Sequence, residues 1–144
     1  MSGKIVVGYD GSEASNRALD FAVERAKSQG GSVMIAHVLE WSAYSFLTPT
    51  ELEERHKRRN EELARAKEAL MDPTVARLAD SGVAVETSIK YGHIANTLAN
   101  ICKESDASQI VIGRDGETSL GSRVFGSVAS TLAQAAPVPC TIVP

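Results

Sequence analysis

No apolar run in the 144 residues approaches the roughly 18 needed to cross a bilayer, so no membrane insertion is expected. The first apolar run, Ile5–Tyr9, is five residues long and broken by Gly8. That is shorter than the core of a secretory signal, and a cytoplasmic location is expected. Only two cysteines are present, Cys102 and Cys140, far apart in sequence and in apolar surroundings. They read as small buried hydrophobes in a reducing compartment rather than as a disulfide framework. The three histidines, His37, His56 and His93, show no metal spacing, so no zinc site is expected. An excess of positive charge is also missing: 15 Lys and Arg stand against 18 Asp and Glu, a net charge of −3. A dedicated nucleic-acid binder carries a basic footprint, so that class is set aside. There is no repeat, low-complexity tract or interdomain linker.

What is present is globular: 43% hydrophobic and 23% charged residues. The length fits one domain over residues 1–144, with a core that buries about two-thirds of the unfolded surface. Lys4–Tyr9 is a short apolar strand ended by Asp10-Gly11-Ser12, a turn and helix-cap signal. A helix follows from Ser12, with Ala14, Ala18, Ala22 and Ala26 on one stripe, and Gly30-Gly31 stops it. Ser32–Leu39 is a second strand, and 40–50 a loop with Trp41, Tyr44 and Phe46. A charged helix starts near Glu51, with six acidic and six basic residues mixed up to Glu68. Leu52, His56, Leu63, Ala66, Leu70 and Leu78 roughly keep one of its faces, and Pro73 predicts a kink or break. Val83–Lys90 reads as a third strand, a helix follows around Ile94–Cys102, and Gln109–Gly113 is a fourth strand. A glycine-containing loop leads to a helix at about 126–136, stopped by Pro137, and Cys140–Val143 is the last strand.

Strands that alternate with helices imply a doubly wound parallel α/β sheet with helices on both faces. The strands are near-continuous apolar runs, as strands buried on both faces should be. Ligands of such sheets bind beyond the carboxyl ends of strands where the winding reverses. Two strand ends are unusual here: Gly8-Tyr9-Asp10-Gly11-Ser12 and Gly113-Arg114-Asp115-Gly116.

Two residues separate Gly113 from Gly116, and nine separate Gly116 from Gly126-Ser127. Three glycines at such offsets arise in about one random chain of this length in twenty. The serine and the strand–loop–helix setting make the coincidence rarer still. Glycines let backbone N–H groups approach a phosphate, and a helix beginning near Gly126 adds unpaired N–H groups and a positive dipole end. Glycines that merely shape turns are the alternative.

Together with Ile5-Val6-Val7-Gly8-Tyr9-Asp10-Gly11-Ser12, Ala36-His37-Val38 and Val138-Pro139-Cys140-Thr141-Ile142-Val143, this motif resembles the ATP-binding branch of the universal stress protein family. The likeness runs along the whole chain. It implies a single-domain, open, five-stranded parallel sheet of order 3-2-1-4-5, with a cleft between the first and fourth strands. It also implies roles for matching residues. Asp10 would hydrogen-bond the nucleoside, with Gly8 and Tyr9 lining its pocket. Val38 would contact adenine through its backbone, and Ile112 and Gly113 would flank the ribose and first phosphate. Gly116, Gly126, Ser127 and Val128 would cradle phosphates, with the Ala129 amide in reach. Asp10 has a second reading as a turn or helix cap, and His37 reads better as a satisfied core residue than as a ligand contact. Trp41 and Tyr44 either cover the base or pack under their loop.

Arg114 and Asp115 depart from the small and polar residues common between the first two glycines. Arg114 and Arg123 would pair with phosphate oxygens. Asp115 and Glu117 would repel them unless a divalent cation, Mg²⁺ or Mn²⁺, sits between. At the far edge of the implied sheet, no charged residue guards 135–144. A homodimer through Thr141, Ile142 and Val143 is therefore expected, and the family resemblance points the same way.

The functional expectation is a cytoplasmic, ATP-binding sensor or regulator in stress response, read by a regulatory protein partner that the sequence does not name. The alternatives are a slow ATP hydrolase and an interaction module without nucleotide. Fast catalysis is not expected, because no Walker lysine, nucleophile elbow or catalytic triad is present. The SGGxDS loop of related ATP pyrophosphatases is replaced by Gly8-Tyr9-Asp10-Gly11-Ser12. A phosphorylated receiver would need an aspartate ending the third strand and a lysine ending the fifth. Lys90-Tyr91-Gly92 and Val143-Pro144 stand there instead. A flavodoxin-like electron carrier would declare itself by a yellow chromophore.

Overall fold

The computed structural model describes residues 3–40, 48–115 and 127–144. Trp41, Tyr44, Phe46, Gly116, Glu117, Arg123 and Gly126 lie outside the described residues. In chain order the elements are β1 (Lys4–Gly8), α1 (Glu13–Gln29), β2 (Ser32–Glu40) and α2 (Pro49–Ala66), then a π-turn over Lys67–Met71. They continue as α3 (Asp72–Arg77), β3 (Val85–Gly92), α4 (Ile94–Glu104), β4 (Gln109–Gly113), α5 (Ser127–Ala135) and β5 (Cys140–Val143). The five strands form one sheet of order β3-β2-β1-β4-β5, parallel throughout, as expected.

The central strand β1 is apolar on both faces because both are covered. Odd residues Ile5 and Val7 pack with the α1 stripe Ala18, Leu19, Ala22, Val23 and Ala26 and with Met71 and Leu78. The even residue Val6 packs with Ala95, Leu98, Ile101 and Cys102 of α4 and Ala129 and Leu132 of α5. The alanine stripe lets α1 lie close to the sheet. Ser12 caps α1, its hydroxyl accepting the Ser15 N–H at 3.1 Å, and Gly30 closes it in the left-handed conformation at φ +67°.

Several boundaries differ from the sequence expectation; β1 ends at Gly8 rather than Tyr9, β2 runs on to Glu40, and the last helix spans Ser127–Ala135. The third strand is Val85–Gly92 rather than Val83–Lys90, because its register follows β2 from Val33 opposite Val85 to Glu40 opposite Gly92. Val83 instead belongs to the preceding turn, its N–H donating to Ser81 Oγ at 3.2 Å. The second helix begins at Pro49, two residues early, because Thr48 and Glu51 form a reciprocal capping box. Its apolar stripe is not a core face: α2 has no buried residue, and Leu52 is 52% exposed. Where α2 meets the sheet edge, the Arg59 guanidinium lies 4.6 Å over the Tyr91 ring, and the Tyr91 hydroxyl donates to Glu62. Burial and that carboxylate push the hydroxyl up to about 12, so it stays protonated at neutral pH.

The irregularity expected at Pro73 falls before it. Proline has no N–H to offer the carbonyl four residues back and its ring would crowd that carbonyl. The chain answers with a wide turn in which the Asp72 N–H reaches Lys67 O, five residues back.

Candidate functional site

The winding reverses between β1 and β4: from β1 the chain crosses to β2 on one side, while β4 pairs on the other. Their carboxyl ends lie side by side, Gly8 opposite Ile112. In an open α/β sheet this is the crevice where ligands bind.

On the β1 side, Asp10 and Ser12 make a tight turn. Asp10 Oδ1 accepts the Ser12 N–H at 2.9 Å, so the turn-capping role is real. Gly11 sits at φ +82°, a conformation that glycine adopts without penalty. Tyr9 is 7% exposed and its ring belongs to the α1-side core. Its hydroxyl donates to Asn16 Oδ1 at 2.8 Å, so what Tyr9 turns toward the crevice is main chain. The Tyr9 N–H donates to Ala36 O at 2.8 Å, tying the turn to β2.

His37 Nδ1 lies 2.7 Å from Tyr9 O. A carbonyl only accepts, so Nδ1 carries the proton. His37 is thus a hydrogen-bonded structural residue, in line with its core reading. Val38, one residue on, is buried in the α4–α5 side of the core with Ile112.

On the β4 side, Gly113 has a packing reason of its own. A Cβ there would stand 2.8 Å from the Ala14 carbonyl carbon and 2.9 Å from Ala14 Cβ. The first turn of α1 crosses β4 only because Gly113 has no side chain. Beyond it, the Arg114 N–H donates to Val143 O at 2.7 Å. Arg114 Nε lies 3.7 Å from Asp115 Oδ2, with side chains 48% and 29% exposed. Such a pair is loose and contributes little to stability, so the guanidinium can re-aim at an anion. After the residues that follow β4, α5 opens with Ser127 exposed, Val128 half-buried and Ala129 buried.

No three His, Cys, Asp or Glu side chains cluster as a metal site among the described residues. Cys102 and Cys140 are free thiols in the α4–α5 half of the core. Burial pushes Cys102 up to about 11 and raises Cys140 as well. Neither is activated as a nucleophile at neutral pH. No helix among the described residues is long and apolar enough to cross a membrane.

Sequence reasoning missed the contacts that the residues on either side of Asp10 acquire from afar. Leu70 reaches Gly11, and the Thr74 hydroxyl stands 3.4 Å from that of Tyr9. Only the proline in 67–74 hints that this helix would be irregular.

The universal stress protein family profile matches residues 1–144. The chain is 32% identical to universal stress protein YxiE of Bacillus subtilis, over 99% of each protein. Its fold superposes on universal stress protein UspA from Lactobacillus plantarum with a TM-score of 0.83, at 26% identity over 98% of this chain and 97% of that one. The universal stress protein from Archaeoglobus fulgidus, solved in complex with dAMP, matches at a TM-score of 0.67 and 26% identity, over 98% and 97%. On the profile, the full-length relative and the sheet order together, the chain belongs to the universal stress protein family.

Proposed function

We propose that the crevice at the ends of β1 and β4 binds ATP, and that the protein is a cytoplasmic, nucleotide-dependent regulator in stress response rather than a metabolic enzyme. One observation carries the reading: the Asp10 turn and the Gly113 motif end adjacent strands at the switch point. The dAMP complex of the Archaeoglobus relative supports an adenine nucleotide. Asp10 accepts from the nucleoside, and the main chain of Gly8, Tyr9 and Val38 shapes the base and sugar pocket. Ile112 and Gly113 flank the ribose and first phosphate. Gly116, Gly126, Ser127, Val128 and Ala129 supply N–H groups to phosphates, with Arg114 and Arg123 pairing their oxygens.

Asp115, 29% exposed at this end of β4, fits one carboxylate ligand of a Mg²⁺ or Mn²⁺ ion whose other ligands are phosphate oxygens and water. The cation would neutralise charge between Asp115 and the phosphates. Calorimetric titration of ATP tests the reading. One site per chain is expected, and a folded protein that gives no binding removes it. The packing of Gly113 on Ala14 favours a second reading, an interaction module of the same fold, since such a chain would keep this glycine without a ligand.

Assembly follows from the edges. On β3, Glu86 and Lys90 bring charge to the edge, paired with Lys4 at 3.2 Å and Glu104 at 2.8 Å. Pro139 O, just before β5, accepts from Ile110 of β4, and Val143 O of β5 accepts from Arg114, just after β4, so by alternation the Ile142 N–H and C=O point away from the sheet. We place a two-fold antiparallel contact at Thr141, Ile142 and Val143. Ile142→Pro removes an outward donor and keeps the β4 pairing. Light scattering at micromolar concentration should show a dimer for the wild type and a monomer for the variant. A wild-type monomer, or a dimer indifferent to the proline, contradicts this interface. A regulatory protein partner would read the nucleotide state through differential affinity for two conformations.

A further inference from the structure

We infer that Leu70, in the π-turn between α2 and α3, is a positioning residue for the Asp10–Gly11–Ser12 turn, so that the seating of this helix sets nucleotide affinity. The inference rests on the nucleotide reading of Asp10. The π-turn is where an exposed helix enters the core: α2 has no buried residue, whereas Met71 is fully buried and Thr74 and Leu78 nearly so. One extra residue in a helical turn rotates what precedes it by about 100°. That rotation lets α2 ride outside while Leu70 and Met71 point inward.

Leu70 lands on the site turn. A Cβ on Gly11 would stand 2.9 Å from Leu70 Cδ1, so the leucine methyl packs on the bare glycine backbone. The same helix touches the other neighbour of Asp10. The Thr74 hydroxyl donates to Leu70 O at 2.7 Å and lies 3.4 Å from the Tyr9 hydroxyl. The single Thr74 proton goes to Leu70 O and the Tyr9 proton to Asn16, so the Tyr9–Thr74 approach is a packing contact, and the Thr74 bond locks the turn that carries Leu70. Arg77 continues the attachment to α1, reaching Asp20 Oδ1 at 3.2 Å and Asn16 Oδ1 at 3.4 Å. Tyr9 and Gly11 are therefore both held from the α3 side, and the Asp10 carboxylate between them is held by the Ser12 N–H. A ligand that binds Asp10 in this geometry favours the seated π-turn, and by linkage the seated turn favours the ligand.

The test uses the full chain with Leu70→Ala, the milder Leu70→Val, and Leu70→Met as the conservative replacement. Amide hydrogen exchange of Ser12, without nucleotide, reads the turn; calorimetry reads ATP affinity. In Leu70→Ala, Ser12 should exchange about tenfold faster and the ATP Kd should rise about fivefold or more. Val111 in the core should stay protected, Leu70→Val should fall between, and Leu70→Met should restore both readouts. Unchanged Ser12 exchange in Leu70→Ala and Leu70→Val overturns the positioning role. Unchanged ATP affinity with faster exchange overturns the coupling. A wild type that binds no ATP overturns the site reading and the coupling with it, while Ser12 exchange still decides whether Leu70 holds the turn.

Discussion

Gly113→Ala should lower unfolding stability by about 2 kcal/mol, and Gly113→Val by about 3. The first added carbon stands 2.8 Å from the Ala14 carbonyl carbon and 3.0 Å from its oxygen. These are backbone atoms of a capped helix, which a rotamer change cannot clear. The first turn of α1 must lift from β4, and with it Ser12, whose N–H holds Asp10. Urea unfolding checks this: the midpoint should fall with the slope unchanged. An unchanged midpoint would mean that α1 does not cross β4 as closely as described. Because the same shift moves Asp10, a folded Gly113 variant should also bind ATP more weakly.

Gly126→Asp should reduce ATP affinity by about a hundredfold or more with little loss of fold. The proposed phosphate cradle works through N–H groups at the start of α5, where the helix dipole is positive. An aspartate there adds bulk and a like charge beside the proposed phosphates, and the cost of apposed negative charge reaches several kcal/mol. Asp10→Ala should weaken adenosine as well as ATP, because its proposed partner is the nucleoside. Equal ATP affinity in wild type and folded Gly126→Asp would move the phosphates elsewhere.

The parts of this molecule that sequence makes legible are those dictated by local pattern. Continuous apolar strands and the Ala14–Ala26 stripe give the doubly wound sheet, and Ser12 and Gly30 mark both ends of α1. Asp10 is legible as a turn residue because its partner, Ser12, is two residues away. What sequence hides is decided at long range. The end of β3 is set by pairing with β2, so Val83 looks like strand and Tyr91-Gly92 does not, although the reverse holds. Periodicity shows that α2 has an apolar stripe; it does not show that Leu52 stays half in water. The first glycine of the motif reads as a phosphate glycine, yet its contact with Ala14, ninety-nine residues away, gives it a structural duty as well. The Leu70–Gly11 contact spans fifty-nine residues and has no local signature.

The central claim is that ATP occupies the crevice at the ends of β1 and β4. Amide chemical-shift mapping during ATP titration of the wild-type protein tests it most directly. The account predicts saturable shifts concentrated at Tyr9–Ser12, Val38, Gly113–Asp115 and Ser127–Ala129, toward the carboxyl ends of β1, β2 and β4 and at the start of α5. Absence of shifts in the folded protein, or shifts gathered on the exposed face of α2 around Leu52 and Lys57, would contradict it.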